Sequence, residues 1–391
     1  MNAGAAARTL WAPGKVFLAG EYAVLDRGRP ALVAAVDRGL RLSWRALGEP
    51  LVVLRHAQSG ESLTGDLSTE VSAPVVWRGG VPGGLRFAAR AVSVSLRLCA
   101  EEGRAPRGLA ATFEDDLSAP DAAGTSRKLG LGGSAAASVL SVRAAAHSQG
   151  RALTPFEVLA LALAAHWVEQ GGSGSGGDVA AASLGGVSLV RVRHLWRSPE
   201  QVLALPAKGL LADGPLEVQP VPVPADLRLV LAFSGVSADT RALVREVRAF
   251  TEARPARWRE HAEKIARRAE QLAALLEDSA RDPGWAPREA TLEVLRRAAA
   301  AMAALGEEAG VPIVTPALQQ ICALASSAGG AAKPSGAGGG DCAVALAFGE
   351  AAAARLEAGL ADAAVTCFRV GVAPRLEPGP EPLGPSASGA P

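Results

Sequence analysis

Between them, four segments of the chain supply lysine, serine, aspartate and closely spaced glycine, the residue types that handle phosphate groups. The first, Pro13-Gly14-Lys15-Val16-Phe17-Leu18-Ala19-Gly20-Glu21-Tyr22, sets a lysine ahead of a short apolar strand and Gly-Glu-Tyr behind it. The second, Lys128-Leu129-Gly130-Leu131-Gly132-Gly133-Ser134-Ala135-Ala136-Ala137, runs glycines into an alanine-rich helix with Ser134 as its expected N-cap. Bare amides and the positive end of that helix would face an anion. The third, Gly171 to Asp178, puts an aspartate after five glycines and directly before the apolar stretch Val179–Leu184. That position argues for a loop inside a folded unit over a flexible linker. The fourth, Lys333-Pro334-Ser335-Gly336-Ala337-Gly338-Gly339-Gly340-Asp341-Cys342, leads into a strand at Ala343–Phe348, and its glycines let a backbone approach a ligand closely. Each segment alone also fits an ordinary strand end, tight turn or hairpin. Together they offer positioning, positive charge and metal ligation, which is what phosphoryl transfer requires.

The basic residues sharpen this. Only Lys15, Lys128, Lys208, Lys264 and Lys333 are lysine among 40 Lys and Arg, and three of them fall in these segments. Lysine kept in so arginine-rich a chain points to places where a compact ammonium is needed and a flat guanidinium does not serve. Other chemistries fit less well. Gly130, Gly132 and Ala135 match the dinucleotide pattern GxGxxA, but residues 122–128 ahead of it read as a polar loop where a strand is required. A nicotinamide-dependent oxidoreductase therefore ranks far below a phosphotransferase. There is no GxxxxGK[ST], and the aspartate loop holds no GxSxG elbow. Cys99, Cys322, Cys342 and Cys367 form no CxxC, and the five histidines form no HExxH. Unpaired cysteines suit a reducing cytoplasm. A net charge of +1 and 4% aromatic residues argue against nucleic acid and anionic membranes as partners. No apolar run approaches the ~18 residues of a bilayer span, and no signal-peptide layout opens the chain. His166 reads as a packed helix residue, and the charged stretch 241–270 as a solvated helix face.

The elements that must position these segments follow from periodicity and punctuation. With 391 residues and 49% apolar content, two or three domains are expected. Residues 1–10 read as a mobile lead-in. Strands are expected at 16–19, 31–36 and 40–44, helices at 84–102, 134–148 and 154–169, and a strand at 186–193. Thr154-Pro155 is an N-cap and first-turn pair. Residues 201–226, with Pro220, Pro222 and Pro224, read as the connection between lobes at 1–200 and 227–373, or as an irregular edge hairpin. The second lobe should carry a strand at 227–233, a charged helical region at 238–278, and helices at 288–309 and 316–327. Strand, helix and strand follow at 342–348, 350–360 and 364–372, and then a disordered tail at 374–391. Strands and helices without regular βαβ alternation favour an α+β fold in two lobes.

With these residues in place, the chain resembles the GHMP kinase superfamily, whose three family motifs correspond to 13–22, 128–138 and 333–342 in the right order. Within it the chain is most similar to the phosphomevalonate kinase branch. The first motif ends Gly20-Glu21-Tyr22 where mevalonate kinases and galactokinases usually have Gly-Glu-His, and the last carries Gly340-Asp341-Cys342. The aspartate loop lacks the proline common in mevalonate kinases, and Phe233-Ser234-Gly235-Val236-Ser237-Ala238-Asp239-Thr240 resembles that branch's SGxSxxT segment. The resemblance implies a two-lobed α+β fold with ATP and a phosphorylated small-molecule acceptor, phosphomevalonate, in the cleft between lobes. It implies a soluble cytoplasmic enzyme, monomeric or homodimeric. Lys128, Gly130, Leu131, Gly132, Gly133, Ser134, Ala135 and Ala136 would cradle the ATP phosphates. Ser134 would help hold Mg²⁺, with Glu169 as the nearest acidic candidate. Lys15 and Asp178 would be the catalytic pair. Tyr22, Ser175, Ser237, Lys333, Ser335, Gly336, Ala337, Gly338 and Asp341, with Lys15, would face the acceptor. Gly133 stands where a serine is common, which removes one hydroxyl from the phosphate loop. Mevalonate kinase, another small-alcohol kinase of the superfamily, and a non-catalytic metabolite-binding protein of the same fold are the alternatives.

Overall fold

The apolar run from Pro30 onward builds the centre of the first sheet, since both of its faces are covered. The computed structural model describes residues 7–120, 126–194, 196–212, 214–282 and 285–380. The first half runs β1 (Arg8–Ala19), β2 (Pro30–Leu47), β3 (Leu51–His56), β4 (Ser62–Leu67), β5 (Val75–Trp77), α1 (Arg86–Glu101), β6 (Gly108–Asp115), β7 (Ser118–Pro120) and β8 (Ser126–Lys128). It continues through α2 (Gly133–Ser148), α3 (Pro155–Glu169), α4 (Gly177–Leu184), β9 (Val187–Val192), α5 (Pro199–Ala204), α6 (Ala207–Ala212) and β10 (Leu216–Pro220). One sheet takes the order β10-β9-β2-β6-β3-β4-β5, with β1 also paired to β2. Only the β3–β6 pair within it is parallel. Helix α2 is apolar or small on nearly every side, so it is buried all round between α1, α3 and the sheet, which fixes the glycine loop at its N-terminus.

The second half runs β11 (Leu227–Phe233), α7 (Thr240–Ala253), α8 (Pro255–Arg281), α9 (Trp285–Ala309), α10 (Pro316–Ser327), β12 (Ala331–Pro334), β13 (Cys342–Phe348), α11 (Glu350–Asp362) and β14 (Cys367–Val370). Its sheet, β12-β13-β11-β14, is antiparallel throughout. The two-residue alternation of a strand divides it cleanly. Val230, Ala232, Ala343 and Ala345 pack with Leu318 of α10 and Leu356 of α11. Leu229, Leu231, Val344 and Leu346 face the other way and join the same apolar core as the first sheet.

Several sequence expectations are corrected here. Residues 8–10 are already strand β1, not lead-in, because Arg8 and Leu10 pair with Trp44 and Leu42 of β2. The segment at 201–226 is not a plain connection: β10 extends the first sheet by pairing with β9, and its one proline, Pro220, lies on an edge strand where a missing N–H is tolerated. The tail does not come free at 374. Leu376 N–H donates to Leu184 O at 2.9 Å and Arg375 Nη1 to Ser188 Oγ at 3.0 Å. Residues 1–6 and 381–391 of the expected lead-in and tail lie outside the described residues.

Candidate active site

Strand β1 and the glycine loop before α2 meet at Lys15. Its backbone N–H donates to Leu131 O at 2.8 Å, and its Nζ donates to Gly130 O at 2.8 Å. The lysine thus grips the loop through both main chain and side chain, while Leu129 and Leu131 anchor it in the core. Gly130 and Gly132 hold φ of 70° and 85°, a left-handed conformation that a β-carbon disfavours. A Cβ on Gly132 would also stand 3.0 Å from Lys15 Cγ and 3.7 Å from Asp178 Cβ, so a side chain there would fill the space between the two.

The helix begins one residue earlier than expected. Gly132 is the N-cap, without a side-chain cap, and Ser134 lies inside the first turn. Its hydroxyl is therefore released from capping, and Ser134 Oγ stands 3.1 Å from His166 Nε2. The amides of Ala135 and Ala136 close onto Gly132 O at 3.1 Å each, which turns the earlier amides of the turn outward. Lys128 ends β8, and its side chain lies outside the described residues.

Asp178 is placed by the third glycine segment, which is an ordered turn between α3 and α4. Gly176, at φ 72°, is the N-cap of α4, and a Cβ on it would strike Leu163 at 2.4 Å. Ser175 Oγ accepts weakly from Gly177 N–H, and Asp178 Oδ1 accepts from Val179 N–H at 3.0 Å. Two helix N-termini, those of α2 and α4, therefore converge beside Lys15. Burial pushes the Lys15 ammonium below its ordinary pKa, opposed by the carboxylates of Asp178, Asp341 and Glu21.

The fourth segment packs against residues 17–22, and here three expectations change. Lys333 is fully buried, where it donates to Glu21 Oε1 and to Pro334 O. Its ammonium is thus directed at Glu21 and away from solvent. Tyr22 is also buried, at φ 61°, and its hydroxyl donates to Ala337 O at 2.5 Å. Burial pushes that phenol well above its ordinary value, and it serves as a tie between segments. Ser335 Oγ accepts from Phe17 N–H at 3.0 Å, and Gly336 N–H approaches Glu21 Oε1 at 3.4 Å. Gly336 remains beside the lysine, where a Cβ would lie 4.0 Å from Lys15 Nζ. Gly338 backs onto Ile313 O, which a Cβ would approach to 2.1 Å.

Asp341 stands in the left-handed region at φ 50°. Its N–H donates to Val236 O at 2.7 Å, its carbonyl accepts from Ser234 N–H at 2.8 Å, and its Oδ1 accepts from Ala238 N–H at 3.1 Å. One residue thus stitches the 234–238 segment, including exposed Ser237, to the glycine loop. Burial raises the Asp341 carboxyl above its ordinary value, against the Ala238 amide and the nearby Lys15.

Glu169, the acidic candidate for a metal, is ion-paired: Arg90 Nε contacts its Oε1 at 2.8 Å. The pair lines a cavity of about 600 Å³ with Val75, Trp77, Arg86 and Ala89. Phe87, next in sequence to Arg86 of that lining, packs its ring at 4.9 Å on His166. Sequence reasoning missed both the cavity, because β4 and β5 are short, and His166, whose partner is 32 residues away. Burial lowers the His166 pKa, with Asp178 pulling upward and Arg86 downward. Its Nε2 lies 3.8 Å from Asp178 Oδ2.

Comparison with known proteins gives the same arrangement of halves. Residues 90–186 match the family described as GHMP kinases N terminal domain, and residues 287–365 match GHMP kinases C terminal. The chain is similar to a phosphomevalonate kinase of a Streptomyces species, 32% identical over 378 residues, which cover 87% of this chain and 90% of the relative. Among solved structures it is similar to a Listeria innocua protein, with a TM-score of 0.81 at 22% identity, covering 95% of this chain and 100% of that one. The fold also matches Streptococcus pneumoniae phosphomevalonate kinase in complex with phosphomevalonate and AMPPNP. That match has a TM-score of 0.73 at 18% identity and covers 92% of this chain and 99% of the other.

Proposed function

The chain belongs to the GHMP kinase family, and from that membership we propose that it acts as an ATP-dependent phosphomevalonate kinase. It transfers the γ-phosphoryl group of ATP to the phosphate of (R)-5-phosphomevalonate, giving (R)-5-diphosphomevalonate and ADP. The observation that carries this reading is the convergence of the α2 and α4 N-termini on the Lys15 ammonium, in a chain with a phosphomevalonate kinase relative along most of its length.

A phosphate monoester has its second pKa near ~6, so at neutral pH the acceptor is already a dianion and needs no strong base. The difficulty is the repulsion between two phosphate groups brought into contact. With Lys333 committed to Glu21, the groups that offset it are Lys15, the outward amides of the loop and the positive ends of α2 and α4. Asp178 then orients Lys15 and is not required to remove a proton. ATP lays its phosphates along Gly130–Ser134, and its base enters the cavity beside Trp77, Val75 and Ala89. Ser175, Ser237 and the 336–338 backbone bound the acceptor, with Asp341 holding Ser237's segment in place.

The donors at the loop fit Mg²⁺, a hard cation that binds through one or two carboxylates, water and substrate phosphates. Ser134 Oγ and the Asp178 carboxylate, both next to His166, would hold it; Glu169 already carries an ion pair with Arg90. Bound there, the ion would neutralise charge on the β- and γ-phosphates. We also read the two sheets as the two lobes, β10 belonging to the first, and the enzyme as cytoplasmic. Among the described residues no helix is long and apolar enough to cross a membrane.

The test is ADP release by purified protein with ATP and Mg²⁺, offering phosphomevalonate, mevalonate, homoserine and galactose separately. Turnover with phosphomevalonate alone is expected. Turnover on an unphosphorylated alcohol would keep the phosphate loop, overturn the acceptor and make Asp178 a general base.

A further inference from the structure

His166 is a buried imidazole that touches the site, and nothing in the reaction described so far uses it. It sits on α3 with 1% of its surface exposed, between the phosphate loop and the aspartate turn. Nε2 lies 3.1 Å from Ser134 Oγ and 3.8 Å from Asp178 Oδ2. The ring plane is set by Phe87, tilted at 32° with centroids 4.9 Å apart. Three elements, α1, α2 and α3, thus fix one nitrogen atom behind one hydroxyl.

A serine hydroxyl has three staggered rotamers and a freely rotating proton, so a metal or phosphate at Ser134 would meet it in several orientations. A donor fixed behind the hydroxyl removes that freedom before any ligand arrives. The Asp178 carboxylate can only accept, and its proximity favours the tautomer with hydrogen on Nε2. With that hydrogen shared toward Ser134 Oγ, the serine turns its own proton and remaining lone pair into the cleft. We propose that His166 is a positioning residue, its Nε2–H holding the Ser134 hydroxyl toward the phosphates of the nucleotide while Asp178 sets the tautomer. This rests on the nucleotide-site reading of the 130–136 loop given above.

The test is a cycle of His166→Ala and Ser134→Ala, with His166→Gln as the variant that keeps a donor at similar reach. Removing an outer partner of this kind costs about 10–100-fold, and that loss is expected in kcat and in affinity for Mg²⁺-AMPPNP, with the acceptor KM little changed. His166→Gln should recover most of it. In the Ser134→Ala background His166→Ala should add less than about threefold, because the two act as one unit. Equal losses in both backgrounds, or a glutamine variant as impaired as alanine while equally stable, would overturn the proposal. Nitrogen NMR of the imidazole gives a readout independent of any substrate. It should show hydrogen on Nε2 and a resonance that moves in Ser134→Ala; hydrogen on Nδ1, or an unmoved resonance, also overturns it. Failure of the acceptor assignment would instead appear as absent turnover with these NMR signatures intact.

Discussion

In the proposed reaction Lys15 carries more of the chemistry than any other residue in the cleft, since its ammonium is bonded to the glycine loop and lies near both Asp178 and Asp341. Replacing it with methionine removes a preorganised cation and should cost about 10²–10³-fold in kcat/KM. Asp178→Asn should cost less, because a dianionic acceptor needs no base. Steady-state kinetics of the two variants decide this, and a larger loss for Asp178→Asn that recovers at high pH would mean a hydroxyl acceptor. The lysine must stay charged, so activity should fall on an alkaline limb below 10.5, its ordinary value, because burial favours the neutral form. Asp178 supports the charged form, so Asp178→Asn should move that limb to still lower pH in a kcat/KM profile. The sequence made Lys15, the glycine loop and Asp178 legible because residue types and order carry their chemistry. It could not distinguish Lys333 from Lys15, since burial and a partner 312 residues distant leave no local trace. His166 was hidden for the same reason: an imidazole on an apolar helix looks alike whether it meets a serine or a leucine.

At the scale of elements, the parts most readable in advance were those with their own punctuation. Helix α3 starts where Thr154 and Glu157 form a capping box around Pro155, and α10 starts on Thr315-Pro316. Strands β3 to β6 lacked such signals and are stabilised by their neighbours, and α4 was too short after its glycines to announce itself as a helix. The union of the 234–238 segment with β13 was likewise unreadable, because it depends on one aspartate in a backbone conformation that sequence does not encode. That union can be tested. Asp341→Asn keeps an acceptor for the Ala238 amide and a residue type tolerant of φ 50°. Asp341→Ala loses the acceptor and keeps the strain, whereas Asp341→Gly loses the acceptor and relieves the strain. Asparagine should therefore leave the acceptor KM nearly unchanged, while alanine and glycine both raise it. Thermal unfolding should rank glycine above alanine by about 1–2 kcal/mol, the cost of a β-carbon in the left-handed region. Equal KM values for all three would mean that the segment positions itself.

Across the whole molecule, the two halves are held together by contacts of unequal worth. Helix α8 reaches the first half through Arg29–Glu263 at 3.1 Å and Arg191–Glu270 at 3.2 Å, but both glutamates are more than half exposed, so these pairs contribute little. The shared apolar core, with Leu231 and Leu346 of one sheet meeting the other half, does more. Glu21 and Lys333 form the joint nearest the chemistry, buried on both sides, with Glu21 Oε2 lacking a hydrogen-bond partner among the described residues. An incompletely satisfied buried pair is poor at stabilising a fold, because desolvation offsets its attraction. Breaking it from one side is a different matter. Lys333→Met leaves a buried carboxylate uncompensated and should cost about 3–5 kcal/mol in denaturant unfolding. The double variant Glu21→Gln, Lys333→Met buries no net charge and should recover most of that loss. Yet the pair also holds Pro334 and Gly336 in place beside Lys15, so the stable double variant should still turn over slowly. A pair serving stability alone would give full activity once stability is restored, and a pair open to solvent would make Lys333→Met nearly harmless. A stable but slow double variant would instead show that this buried charge is kept to align the glycine loop of one half with the lysine of the other.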